Sequence, residues 1–187
     1  MSTSSSWRTR ARAWLAVGLW SLGGAAAAVD LPGSLAASGE WRRLGSGSAH
    51  WLGFHLYDAA LWAPPAGFSW SRPFALSLRY ARDFSRERLA SSSVDEIRRL
   101  GARDEGRLAD WQAALERAFA DVEAGDVLVG LFEPAVGARF YAGDELRAEI
   151  ADPELAQRFF AIWLDPRTRE PDLRSQLLGE TDDGRDD

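Results

Sequence analysis

Cysteine is absent from this chain, and so is lysine; histidine occurs twice and methionine once, at the start. Without cysteine there is no disulfide, no thiolate nucleophile and no lipid-bearing cysteine, so stability rests on packing. Without lysine, all 22 basic residues are arginines, which rules out Schiff-base chemistry on this chain. Familiar catalytic signatures are missing as well. There is no Gly-x-Ser-x-Gly elbow, no phosphate-binding Walker loop and no His-Glu-x-x-His pair, and Gly45-x-Gly47 meets His50 where a dinucleotide fingerprint needs glycine. No cofactor is therefore expected. His50 and His55, read as members of one strand, point to opposite faces and do not share a metal.

What is present starts with a targeting pattern. Arg8, Arg10 and Arg12 precede an apolar run over residues 13–22, too short to span a bilayer comfortably, and Ala25 to Ala28 offers a small-residue cleavage site. Residues 1–28 are read as a signal peptide cut after Ala28, with export to the periplasm of a Gram-negative cell and a mature chain without a transmembrane segment. Loss of its three arginines leaves 19 basic against 28 acidic residues, or −9. Taken as a whole, such a surface repels nucleic acid and anionic headgroups. Residues 29–180 read as one domain and 181–187 as an acidic, disordered tail.

The domain reads as α+β, with a mostly antiparallel, open-faced sheet and a helical layer packed on one face. Strands are expected over 41–44, 50–63, 74–83, 127–132, 138–141 and 146–150, with Gly45 to Ser48 a turn or bulge between the first two and residues 34–40 a polar lead-in. Ser85 and Ser93 are candidate helix caps, Ser93 with Glu96 as a capping box. Residues 104–122 form an amphipathic helix through Leu108, Trp111, Leu115, Phe119 and Val122. Asp152-Pro153 starts another helix, which buries Leu155, Phe159, Ile162 and Trp163; Asp165-Pro166 ends it, and Pro171-Asp172 opens a last one closed by Gly179.

Candidate site residues come from the strands. Strict alternation over 74–83 places Arg82 on the same face as Phe74, Leu76, Leu78 and Tyr80. A buried guanidinium needs acceptors. Either a carboxylate such as Asp58, Asp83 or Glu149 supplies them, or an anionic ligand head does, held by Arg82 with Tyr57 and Tyr80 while its apolar body fills a cleft. Trp51, Trp62 and Trp70 are either core residues or the lining of a pocket mouth.

Three segments carry a family resemblance: the 52–64 run with Tyr57, the 74–83 strand, and above all Phe159-Phe160-Ala161-Ile162-Trp163-Leu164-Asp165-Pro166-Arg167-Thr168, with the Gly125-Asp126 turn. Together they resemble the bacterial chalcone-isomerase-like family over about residues 41–179. The resemblance implies an open-faced sheet with a cleft beneath helices. It also implies two kinds of member, isomerases that use an arginine, a threonine and a tyrosine, and fatty-acid binders with a tyrosine in place of that threonine. Tyr57 aligns with the threonine or tyrosine position and His50 falls near the arginine position. His50 there departs from both kinds of member, and Tyr57 fits a non-catalytic binder of a small apolar or anionic-amphipathic molecule; with Tyr80 and Arg82 from the strand pattern, the expected ligand-binding residues are His50, Tyr57, Tyr80 and Arg82. An intramolecular lyase closing a ring, or a periplasmic interaction protein using exposed tryptophans, are the alternatives.

Overall fold

The computed structural model describes residues 31–180; the expected signal peptide and acidic tail lie outside the described residues. Its elements are α1 (Gly33–Ala36), β1 (Arg42–Trp51), β2 (Phe54–Ala63), β3 (Phe74–Tyr80), α2 (Arg86–Arg99), α3 (Glu105–Ala118), β4 (Val127–Glu133), β5 (Gly137–Ala142), β6 (Glu145–Ile150), α4 (Pro153–Leu164) and α5 (Pro171–Leu178). The strands form one six-stranded antiparallel meander in the order β1-β2-β3-β4-β5-β6. The expected α+β architecture is the one observed.

Most helix boundaries follow local chemistry. Ser85 and Asp104 accept hydrogen bonds from the Arg88 and Arg107 amides and start α2 and α3. Gly179, in the left-handed conformation, closes α5. Ser93 does not cap: it lies inside α2 and returns its hydroxyl to the Leu89 carbonyl, because α2 is already capped eight residues earlier at Ser85. The helix expected to reach residue 122 stops at Ala118. Beyond it Val122 forms a backbone bridge with Phe84, an alternative partner that the helical stripe does not show.

The main core lies between one face of the sheet and α2–α5. Phe74, Phe140, Phe160, Leu61, Ile97 and Leu155 are buried completely or nearly so, and Phe74 stacks on Phe132 with ring centroids 4.8 Å apart. The second face is not bare. Leu35 of α1 packs there with Ala75, Val129, Leu131 and Tyr141, joined by Trp41 and Trp62, so the presumed polar lead-in holds a short helix anchored by Leu35.

Asp152 ties the helical layer together. Its Oδ1 accepts from the Glu154 and Leu155 amides at 3.0 and 2.9 Å, and its Oδ2 accepts from the Trp111 indole of α3 at 3.0 Å. Partial burial opposes ionisation, but the Leu155 amide, the Trp111 indole, the Glu154 amide and Arg107 outweigh it and hold the carboxyl below its usual range. A depressed carboxylate contributes stability above its unfolded value of about 3.9, lost as pH falls through the folded value. Asp152→Ala should cost about 2 kcal/mol at neutral pH, from a lost cap and a stranded indole N–H. Urea denaturation of both proteins at pH 7 and below pH 3 checks this: the gap must narrow in acid, and a gap independent of pH would refute the charge-dependent part.

Candidate functional site

Alternation along β2 sends Tyr57, Ala59, Leu61 and Ala63 to the helical side, where they join the main core or pack against it. Antiparallel register sets Tyr57 directly opposite Tyr80 of β3, and the rings meet edge to face with centroids 6.1 Å apart. Phe84 makes the next edge contact, 5.7 Å from Tyr80. On β1 the residue paired with Tyr57 is Ala49, small and buried. From above, α4 brings Trp163, whose indole N–H donates to Tyr57 Oη at 3.0 Å.

That bond fixes what the phenol can do. An indole N–H only donates, so the Tyr57 oxygen is the acceptor and its own hydrogen stays available. Burial pushes the Tyr57 phenol up to about 12; the Trp163 bond lowers it too little to compensate, and Glu170 and Glu96 add to the rise. Burial raises Tyr80 still further from its ordinary value. Both phenols are neutral donors at physiological pH.

Beside the tyrosines runs a charged rim that sequence reasoning missed. Glu96 of α2, half-buried, accepts from Arg99 and from Arg169, each at 2.7 Å. Arg99 also donates to the Arg167 carbonyl at 2.9 Å, and Thr168 Oγ1 donates to the Ile162 carbonyl at 2.7 Å. These bonds clamp the Asp165–Glu170 turn onto the helical layer. Glu96 had been read as a capping-box member; the only local hint of its real role was Arg99 three residues on.

Two expected site residues stand elsewhere. Pairing of β3 ends at Tyr80, so Arg82 lies past the strand and is exposed, its guanidinium 5.0 Å over the Phe54 ring. The carboxylates proposed for it are engaged by others: Asp58 with Ser48 and His55, Asp83 with the Ala124 amide, Glu149 with Arg139. Arg82 is thus neither a buried ion-pair member nor an inner-face cation. His50 and His55 sit on different strands of a hairpin, paired in register and stacked 5.0 Å apart, which corrects their assignment to opposite faces of one strand. His55 bonds Asp58 at 2.9 Å, a residue whose alternation places it on the opposite side of β2 from Tyr57. Among the described residues no group of three His, Asp or Glu side chains gathers as metal ligands.

The three tryptophans do not share a pocket mouth. Trp51 is exposed at the hairpin end, Trp62 packs on the second face, and Trp70 packs edge-on against Phe68, Phe74 and Phe132. A solvent-open groove of about 260 Å³ lies between α2 and α4, lined by Ile97, Leu100, Gln157 and Ala161 and by the charged Glu154, Arg158, Asp165 and Arg167. None of the four expected site residues lines it.

A six-stranded antiparallel meander with helices laid over one face, and a tyrosine pair beneath those helices, define a chalcone-isomerase type of α+β fold. The family model described as chalcone isomerase-like matches residues 45–179, and the chain belongs to that family. Among solved structures the chain is similar to a fatty-acid binding protein of Arabidopsis thaliana. The TM-score is 0.56 at 10% identity, over 75% of this chain and 87% of that one, a likeness of fold. Among curated proteins no sequence matches.

Proposed function

We infer that this protein is exported to the periplasm and there binds a small apolar or carboxylate-bearing molecule, such as a fatty acid, without transforming it. The observation that carries the reading is the Tyr57 hydroxyl, oriented by Trp163 and left with a hydrogen to give. A protonated phenol beside an apolar core can hold a carbonyl or carboxyl oxygen while the rest of the ligand displaces or slides between aromatic side chains. With its phenol held up at about 12, Tyr57 is a poor base at neutral pH. Arg82, committed to Phe54 at the hairpin end, gives Tyr57 no cationic helper. The fatty-acid binding described for the Arabidopsis protein of similar fold supports the same class of ligand.

Titration with a fluorescent fatty acid tests the site. Tyr57→Phe should weaken binding by about tenfold, the worth of one hydrogen bond to a ligand oxygen. Equal affinity in the two proteins would remove Tyr57 from the site. Saturable, protein-dependent formation of a flavanone from a chalcone would overturn the non-catalytic reading in favour of the isomerase.

A further inference from the structure

Three large apolar side chains stand in water at one turn. Trp51, Leu52 and Phe54, at the end of the β1–β2 hairpin, are 64%, 76% and 56% exposed, whereas Val136 in the β4–β5 turn and Leu146 on β6 are exposed singly. The turn itself is unfavourable for its sequence. Leu52 and Gly53 adopt φ of 49° and 80°, a two-residue reversal in which Asn, Asp or Gly is preferred at the position that Leu52 holds. A branched side chain at positive φ that is mostly exposed contributes little to the fold. Its exposure is the feature to be explained.

Charge is distributed to match. From residue 44 to residue 57 the chain has no Asp or Glu, although it contains 28 of them in all. The charged or titratable groups nearest this end include Arg82 over Phe54, the stacked His50 and His55, Asp58, whose carboxylate is bound by Ser48 and His55 and which stands opposite Arg79, and Asp83, next to Arg82, which accepts from the Ala124 amide. The acidic remainder of the molecule does not cancel this arrangement at contact, because charges farther than a Debye length of about 10 Å are screened. An apolar wedge with an aromatic pair and an adjacent guanidinium fits the boundary between lipid headgroups and acyl chains. A protein partner fits it less well. Side chains of about 200 Å² each, at the exposures given, offer about 400 Å² in all, half of the ~800 Å² that each side of a stable protein interface needs.

We propose that the β1–β2 hairpin end is a membrane-docking wedge that inserts Trp51, Leu52 and Phe54 into a lipid surface, with Arg82 at the level of the phosphates. The proposal does not depend on the ligand reading, although Tyr57 follows Phe54 by three residues on the same strand, about 10 Å along it. A ligand drawn from the bilayer would meet the tyrosine pair next.

The absence of native cysteine allows a clean test with residues 29–187, free of the apolar run over 13–22 that would itself bind vesicles. Leu52→Cys carrying an environment-sensitive nitrobenzoxadiazole probe is mixed with vesicles of phosphatidylcholine, alone or with phosphatidylglycerol. Probe emission should rise severalfold on both and be quenched by lipid spin-labelled on its acyl chain, while the same probe at Val136→Cys should not respond. Leu52→Asp with Phe54→Asp should lower the vesicle-bound fraction about tenfold, and Arg82→Gln should abolish any preference for phosphatidylglycerol. A probe at position 52 that remains in water on vesicle-bound protein overturns the proposal, because binding then comes from another segment. So does a blue shift that needs no lipid and grows with protein concentration, the mark of a second copy.

Discussion

Trp163→Ala should destabilise the protein by about 3–5 kcal/mol, the range for large aromatic truncations in cores. Trp163 is 8% exposed, lies 5.3 Å from the Phe159 ring and satisfies the Tyr57 oxygen. Truncation therefore opens a cavity and strips a buried phenol of its donor. Trp163→Phe separates the two effects, since it retains most of the packing and should cost only about 1–2 kcal/mol for the lost hydrogen bond. In a cycle with Tyr57→Phe the two changes should couple by about 0.5–1.5 kcal/mol, because each removes the same bond. Urea denaturation with unchanged slope gives all four values. A cost for Trp163→Ala below about 1 kcal/mol would place α4 at the periphery rather than over the tyrosines.

What the sequence disclosed and what it hid divide along a physical line. Helix termini are set within a turn of the residues that cap them, so Asp152-Pro153, Pro171 and Gly179 could be read directly. The burial of Trp163 followed from its place one turn beyond Phe159. Tyr57 and Tyr80 stood out as polar groups in apolar strands, but only register makes them partners. Arg82 was misplaced because alternation says which face a residue takes while the strand continues, not where pairing ends. That end is decided by the neighbours: Tyr80 still pairs with Tyr57 of β2 and exchanges backbone bonds with Gly125 and Asp126 just before β4, and the ladders on both sides stop short of Arg82. The Glu96–Arg169 contact joins α2 to a turn near the end of the domain, beyond any local pattern. Of the turn or bulge expected at Gly45 to Ser48, the bulge is what forms, as a register shift between Arg43 and Gly45; the reversal itself lies at Leu52-Gly53, where leucine holds a position whose conformation favours Asn or Gly.

The bulged segment carries the other large effect expected here. Gly45→Ala should cost about 3 kcal/mol or more, the upper end for overpacking, because the new methyl meets backbone and not a pliable side chain. A Cβ at Gly45 would run into the Gln176 carbonyl oxygen of α5, and one at Gly47 into the Gln176 side chain and Leu173. The two glycines are therefore the seat on which the last helix rests against β1, and the register shift between Arg43 and Gly45 shapes that seat. Relief requires α5 to lift, which would expose Leu173 and Leu177, now 2% and 0% exposed. Hydrogen exchange should show α5 amides losing protection while β3 and β4 keep theirs. Gly53→Ala provides the contrast: nothing lies near its Cβ, so only the strain of φ 80° applies, about 1 kcal/mol. Equal melting behaviour of Gly45→Ala and the parent protein would mean that α5 does not sit on this strand. A loss in which Gly53→Ala is the worse of the two would show that turn strain, not helix seating, governs the hairpin.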